Sequence, residues 1–331
     1  MKHQYLLELG GENTDLGRIE ALELLSTENY NPKLVLDEAS IITIGVSNII
    51  EAKIIRRLGM TKRISKIAHI DKETNLENVV KNMATIDIGQ NTFAIRQIGE
   101  KIMSGKQLAV ILGERIPENN KTNLSNPQIK VLYYAGKKTI ISIWDQKMET
   151  YYKKCLKHHI KNRPFFSPIG IHPRIARSMI NLANCSENDT VIDPFCGTGG
   201  MLIEASDMEI NSIGIDIMSK MVDYSEGNLK HFGLKSKLIK GDVSDIMNHK
   251  FKAIVTDPPY GLSTTTKGEG VEKLMKRSME VFSENMSKGE RLVVALSKPE
   301  LIKNEKYNEI YRFKWYVHKS LTRNIIVLER N

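Results

Sequence analysis

The chain has 331 residues, a mass of 37.6 kDa and a formal net charge of +9. Apolar residues at 41% and charged residues at 26% suit a soluble globular chain of two or three domains and exclude a disordered tail or a fibrous repeat. No apolar run reaches the roughly 18–20 residues a membrane span requires, and Met1-Lys2-His3-Gln4-Tyr5 does not open a secretory signal. From the start, residues 4–9 read as a strand, and 15–25 as a helix with Leu16, Ile19, Leu22 and Leu25 on one face. Residues 41–46 follow as a strand and 49–58 as a helix ending near Gly59. This β-α-β-α order makes residues 1–70 a small α+β unit. Next come a strand at 93–98, a short helix at 100–104, a strand at 108–112 and a polar loop at 117–127. Residues 130–134 and 139–144 form a hairpin across Gly136-Lys137.

The positive charge is unevenly placed. Residues 151–177 carry seven Lys or Arg and no Asp or Glu, and most of the excess sits there. A second acid-free run, 53–66, contains Lys53, Arg56, Arg57, Lys62, Arg63 and Lys66. Two such clusters suit a polyanion partner. His158-His159 lies in the first cluster and reads as solvated or RNA-facing, with no metal role.

From about residue 186 strands and helices alternate: 190–193, then 199–207; 212–216, then 219–232; 238–240; 253–256, then 271–285; 291–296. This repetition implies a parallel sheet with helices on both faces. The end, 311–317 and 322–328, reads as a strand hairpin. A doubly wound sheet ending in an antiparallel pair is the arrangement of Rossmann-like methyltransferases.

Two motifs carry chemistry. Asp193-Pro194-Phe195-Cys196-Gly197-Thr198-Gly199-Gly200 follows a strand and opens a helix. Glycines there let the backbone approach a ligand. No Gly-Lys-Ser/Thr follows, and Leu202 stands where a dinucleotide fingerprint has its third glycine. Asp216 ends the next strand, where a carboxylate can accept from both ribose hydroxyls, and Gly241-Asp242 follows the third. A nucleoside without a pyrophosphate fits this set, and S-adenosylmethionine is the obvious candidate. The second motif, Asp257-Pro258-Pro259-Tyr260-Gly261, stands at the C-terminal end of the fourth strand. An exocyclic amine is a poor nucleophile because its lone pair is conjugated with the base. Hydrogen bonds to the Asp257 carboxylate and the Pro258 carbonyl favour a pyramidal nitrogen, and Tyr260 offers a stacking face for an extruded base. Cys155, Cys185 and Cys196 form no CxxC pair, so no zinc spacing or disulfide framework is present, and a reducing cytoplasm is the expected compartment. Cys196 reads as a small packed residue.

The pair of motifs, with their interval, resembles the class I S-adenosylmethionine-dependent amino-methyltransferases. The segment Arg163-Pro164-Phe165-Phe166-Ser167-Pro168, then Pro173 to Ala183, is similar to that preceding the first motif in the archaeal and eukaryotic tRNA (guanine-10-N2)-methyltransferases. So are Ser320-Leu321-Thr322-Arg323-Asn324-Ile325-Ile326 and Arg57-Leu58-Gly59-Met60-Thr61-Lys62. Residues 71–145, with Phe93-Ala94-Ile95-Arg96 and Asn123 to Pro127, resemble a diverged THUMP domain, an RNA-binding module.

The resemblance implies an α/β chain in four parts: a ferredoxin-like domain over 1–70, THUMP over 71–148, a basic linker over 149–177 and a Rossmann-like methyltransferase domain over 178–331. It implies methylation of N2 of guanosine 10 in tRNA, with dimethylguanosine formed through the monomethyl product. By motif position, Asp193, Gly197 and Gly199 hold the methionine end of S-adenosylmethionine, with Phe195 in the same motif. Asp216 takes the ribose and Asp242 the adenine region, while Asp257 borders the cofactor and is catalytic with Pro258 and Tyr260. The tRNA contacts implied are Arg56, Arg57, Lys62, Arg63 and Arg96, and in the linker Lys153, Lys154, Lys157 and Lys161. Some relatives use a small zinc-binding activator subunit, and nothing in the sequence decides whether this chain does. DNA is disfavoured as a partner because no target-recognition domain is evident. The same chemistry at tRNA guanosine 6 or in ribosomal RNA, and a non-catalytic RNA-binding protein, are the alternatives. The loop from Gly261 to Gly270 is short and bears on substrate fit.

Overall fold

The computed structural model describes residues 2–71, 76–83, 85–99, 122–167, 170–259, 269–319 and 321–331. The chain divides into two units. In the first, β1 (His3–Leu9), β2 (Lys33–Glu38), β3 (Ile41–Val46), β4 (Thr61–Asp71), β5 (Phe93–Gly99), β6 (Ile129–Ala135) and β7 (Thr139–Asp145) form one sheet. Its order is β2-β3-β1-β4-β7-β6-β5, antiparallel except between β5 and β6. Strand periodicity sends alternate side chains to opposite faces. Val131, Tyr133 and Ala135 therefore join one core cluster and Leu132 and Tyr134 another. The expected boundary at 70/71 meets no break in this sheet: β4 pairs with β1 on one side and, through Asp71, with β7 on the other. The expected segments 100–104 and 108–112 lie outside the described residues.

The helices α1 (Thr14–Thr27), α2 (Ala52–Arg57) and α3 (Leu76–Met83) interrupt the first set of strands. α1, expected within a unit spanning 1–70, instead belongs to the second unit together with Arg57–Met60. Its polar side chains explain why. The buried Glu20 carboxylate accepts from the backbone N–H groups of Gly59 and Met60, each at 2.8 Å, and from Asn181 Nδ2 at 2.9 Å. Glu23 accepts from Arg291 at 2.6 Å and from the Tyr311 hydroxyl at 2.7 Å. Buried carboxylates satisfied this way are costly to uncouple.

The second unit holds β8 (Thr190–Asp193), β9 (Asn211–Asp216), β10 (Lys237–Lys240), β11 (Ala253–Thr256), β12 (Arg291–Leu296), β13 (Tyr307–His318) and β14 (Leu321–Arg330). The order is β10-β9-β8-β11-β12-β14-β13, with β8 to β12 parallel and β14 antiparallel to both neighbours. Helices α4 (Pro173–Leu182), α5 (Gly200–Asp207), α6 (Ser219–His231) and α7 (Val271–Asn285) cover it. Every residue of β11 and β12 is buried, as central parallel strands require. Ala253, Val255, Val293 and Ala295 face one cluster with α4 and α5, while Ile254, Leu292 and Val294 face the other with α7. The strand order reverses between β8 and β11, and ligands in open sheets bind beyond the strand ends at such a point.

The basic linker is only partly a surface. Lys153, Lys154, Lys157 and Lys161 are exposed, Lys153 just before and the others on short 3-10 turns over Lys154–His158 and Ile160–Asn162. Arg163 and Arg177 are buried. His158, expected to be solvated or RNA-facing, is 1% exposed, with Nδ1 2.9 Å from Glu204. Arg177 donates to Glu204 at 3.0 Å and to Asp207, and Lys157 reaches Asp207 at 2.8 Å. The acid-free stretch thus finds its counter-charge on α5, which sequence distance concealed.

Candidate active site

The first motif forms the turn from β8 to α5. Gly197 at φ +51° and Gly199 at φ +82° occupy backbone that side chains disfavour. A Cβ on Gly199 would also come within 3.0 Å of Ser225 Oγ. Ser225 in turn donates to the Gly197 carbonyl at 2.7 Å. Asp216, at the end of β9, accepts from the N–H groups of Gly197 at 3.0 Å and Met218 at 2.9 Å, and burial pushes its carboxyl up. Asp193 accepts from Thr256 Oγ1 at 2.7 Å and from the Phe195 N–H at 3.1 Å. Burial, reinforced by Asp257 and Asp216, pushes the Asp193 carboxyl up to about 7. Cys196 is 5% exposed and its thiol is pushed well up by burial, consistent with packing and not with a nucleophile.

Asn228 of α6 ties the turn to the linker. Its amide donates to the carbonyls of Thr198 at 2.9 Å and Phe165 at 2.7 Å, and its oxygen accepts from the Phe165 N–H at 3.0 Å. Phe165 stacks on Tyr224 with centroids 4.5 Å apart. The periodicity of α6 gave no hint of this role. Asn228→Ala leaves the buried Thr198 carbonyl unmatched and removes two part-buried bonds to Phe165, and a loss of about 1–2 kcal/mol of unfolding free energy is expected. Urea denaturation with an unchanged m-value checks it; a loss below about 0.5 kcal/mol would rule the tie out as a stabilising element.

The second motif begins where β11 ends. Asp257 Oδ2 accepts from Arg323 Nη2 at 3.1 Å, and the two side chains are 14% and 3% exposed. Arg323 comes from β14, which reaches Asp257 past the end of β12. Asp193, Phe195, Gly197, Asp216, Asp242, Asp257 and Pro258 all line one cavity of about 520 Å³. That is ample for a nucleoside-sized ligand. Asp242 caps the turn Val243–Asn248 and accepts two bonds from Arg277, at 2.6 and 3.1 Å, which hold its carboxyl down to about 2. Arg277 also donates to Glu269 at 3.0 and 2.9 Å, and all three line the cavity. Buried Arg163 lines it too, beside Gly200.

Gly199 shapes the turn without lining the cavity, and Tyr260 lies outside the described residues. Among the expected RNA contacts, Arg57 needs correction: it is 6% exposed and donates to Glu28 at 2.6 Å and to the Cys185 carbonyl at 2.7 Å. A buried guanidinium spent on a carboxylate and a buried carbonyl is a structural group. Arg56 and Lys62 are exposed, while Arg63 is half-buried 3.4 Å from Glu8 and Arg96 donates to the Leu124 carbonyl at 2.6 Å. Sequence reasoning assigned no role to Arg323, Arg277, Glu269, Asn228 or Arg163. For Arg323 the one hint was a cation two residues before the apolar run 325–328 of β14. Among the described residues, His158, Glu204 and Asp207 are close enough to share a metal ion. Arg177 and Lys157 already neutralise those carboxylates, so a cation would have to displace fixed positive charge.

A sheet of this order, with its cavity at the β8/β11 switch and its end closed by an antiparallel hairpin, is that of the Rossmann-like methyltransferases. A family described as "RMKL-like, methyltransferase domain" matches residues 161–314. One described as "DNA methylase" matches 56–227, ending before Asp257. Among solved structures, TrmN from Thermus thermophilus matches with a TM-score of 0.58 and 16% identity, over 99% of this chain and 100% of that one. SMU.472, solved in complex with SAH, matches at TM-score 0.51 and 15% identity, over 100% and 99%. These two show the fold. Curated relatives named tRNA (guanine(10)-N2)-dimethyltransferase go further. Those from Pyrococcus abyssi and Methanocaldococcus jannaschii are 33% and 31% identical, over 86% and 97% of this chain and 88% and 98% of theirs. The relative from Methanothermobacter thermautotrophicus is 41% identical over 51% of this chain, and the match spans about half, 52%, of its length. The chain belongs to the tRNA (guanine(10)-N2)-dimethyltransferase family.

Proposed function

We propose that this chain transfers methyl groups from S-adenosylmethionine to the exocyclic N2 of guanosine 10 in tRNA, by way of the monomethyl product to N2,N2-dimethylguanosine. The observation that carries it is the Asp257-Pro258 acceptor pair on the same cavity as the glycine turn and Asp216, in a chain whose near full-length relatives bear that name. When bound, S-adenosylmethionine supplies an electrophilic methyl group. Asp216 takes the ribose hydroxyls, Asp193 the ammonium and Arg163 the carboxylate of the methionine end. Arg323 fixes the Asp257 carboxylate by the hydrogen bond at 3.1 Å. A carboxylate has about four acceptor positions, so Asp257 can still take an N–H of the guanine amine, and the Pro258 carbonyl takes the other. Catalysis on this reading is positioning and electrostatics. The seven-stranded unit, read as ferredoxin-like and THUMP parts, docks the tRNA body, and the exposed linker lysines follow its phosphates.

The Asp193 role has a pH signature. Its carboxyl, near 7 in the folded chain, must be ionised to hold an ammonium, so binding below that pH expels a proton. Cofactor affinity is expected to rise about tenfold per pH unit toward 7 and to level off above it. Titration calorimetry from pH 5.5 to 8.5 checks this. Asp193→Asn should flatten the profile, and an equally steep one in that variant would refute the assignment.

The function is tested by incubating the protein with S-adenosylmethionine and an unmodified tRNA transcript, then mapping the product by mass spectrometry. Dimethylguanosine at position 10 is expected. Methylation elsewhere would move the specificity, and no methylated tRNA from a cofactor-binding protein, with and without a zinc-binding activator subunit, would overturn the reading.

A further inference from the structure

A third acid-free run lies near the C-terminus. Residues 310–328 hold Arg312, Lys314, His318, Lys319 and Arg323, and no Asp or Glu. Arg312 turns back to Glu309 at 2.8 Å. The rest lie toward the tip of the β13–β14 hairpin. β14 pairs with β12 as far as Leu296 opposite Asn324. Arg323, Thr322 and Leu321 therefore run on beyond the end of β12, at the edge of the sheet where Asp257 stands. β13 accompanies them, with Trp315 opposite Arg323 and Tyr316 opposite Thr322. The hairpin thus overhangs the sheet beside the second motif, linked to it by the Arg323–Asp257 pair at 3.1 Å.

The overhang is dressed unusually for a strand end. Tyr316 is 67% exposed and Val317 38%, and Lys314, His318 and Lys319 are exposed around them. Alternation puts Lys314 and Tyr316 on one face, before a register shift between Tyr316 and His318. An open aromatic ring interleaved with cations, with no acid in 19 residues, suits a polyanion carrying unstacked bases. Base–aromatic stacking and phosphate neutralisation are what such a surface supplies. A nucleobase that reaches Asp257 brings its neighbours to this edge.

We propose that the β13–β14 tip is an RNA contact: Tyr316 stacks on a nucleotide flanking the target, and Lys314 and Lys319 face its phosphates. The inference rests on the reading of this chain as an RNA methyltransferase. The experiment compares the full chain with Tyr316→Ala, Tyr316→Phe and Lys319→Glu, measuring Kd and KM for a tRNA transcript, kcat, and Kd for the cofactor. Tyr316→Ala is expected to raise Kd and KM for tRNA about five- to tenfold, with cofactor affinity unchanged. Tyr316→Phe should behave as wild type, since the ring remains. Lys319→Glu should weaken binding and lower the slope of log Kd against log salt by about one. Values for Tyr316→Ala and Lys319→Glu within twofold of an active wild type would overturn the hairpin contact and leave the function standing. A wild type that neither binds nor methylates tRNA would overturn both.

Discussion

Asp257→Asn is expected to lower kcat by about 10²- to 10³-fold while leaving the affinities for cofactor and tRNA within about threefold. Asparagine is the informative replacement because its carbonyl can still accept from Arg323, so the 3% exposed guanidinium keeps a partner. What it removes is the negative charge that receives the guanine amine. A hydrogen bond to a carboxylate is roughly twice as strong as one to a neutral oxygen, and the difference grows as charge develops on the nitrogen. Single-turnover methylation with saturating tRNA reads the chemical step without product release. A rate within fivefold of wild type would remove Asp257 from the reaction.

Arg323→Met should produce a loss of a different kind. Methionine fills much of the same volume and removes the guanidinium that donates to Asp257 at 3.1 Å. The carboxylate then loses the hydrogen bond that fixes its position at the end of β11. The rate of the chemical step is therefore expected to fall about 10- to 100-fold, with cofactor affinity within about threefold, because a misplaced acceptor orients the guanine amine poorly. Breaking a buried pair should also cost about 3 kcal/mol of unfolding free energy. A structural role alone would lower stability and leave the single-turnover rate of the folded enzyme unchanged. Arg323→Lys restores charge without the planar fork and should recover part of the rate.

The methyltransferase half was legible along the chain because its rules are local. Each strand of the parallel sheet is a short apolar run, each helix carries its own periodicity, and Pro, Gly and Asp mark the turns between. Residues 190–193, 253–256 and 291–296 read directly as β8, β11 and β12. The first 150 residues were less legible. Half-buried β2, with Leu34 41% exposed, lacks a strong pattern, and in β4 Lys62, Arg63 and Lys66 break up the apolar positions. Charge counting treated both acid-free clusters as surface. It missed that Arg57, His158, Arg163 and Arg177 point inward, because their acceptors lie up to 128 residues away, as Cys185 does from Arg57.

By itself the sequence determined the class of chemistry. A glycine turn after the first strand, an acid after the second and Asp-Pro-Pro after the fourth each follow from backbone geometry at a strand end, and their spacing leaves little choice of ligand. Tertiary structure alone decided which groups surround that chemistry. Arg323 arrives at Asp257 from a strand 66 residues on, Arg277 bridges Asp242 and Glu269, and α1 seats the carboxylates of Glu20 and Glu23 among residues of the second unit. Counter-charges and buried hydrogen bonds are chosen by proximity in space, and sequence patterns encode only which face is buried, not which distant residue meets it there.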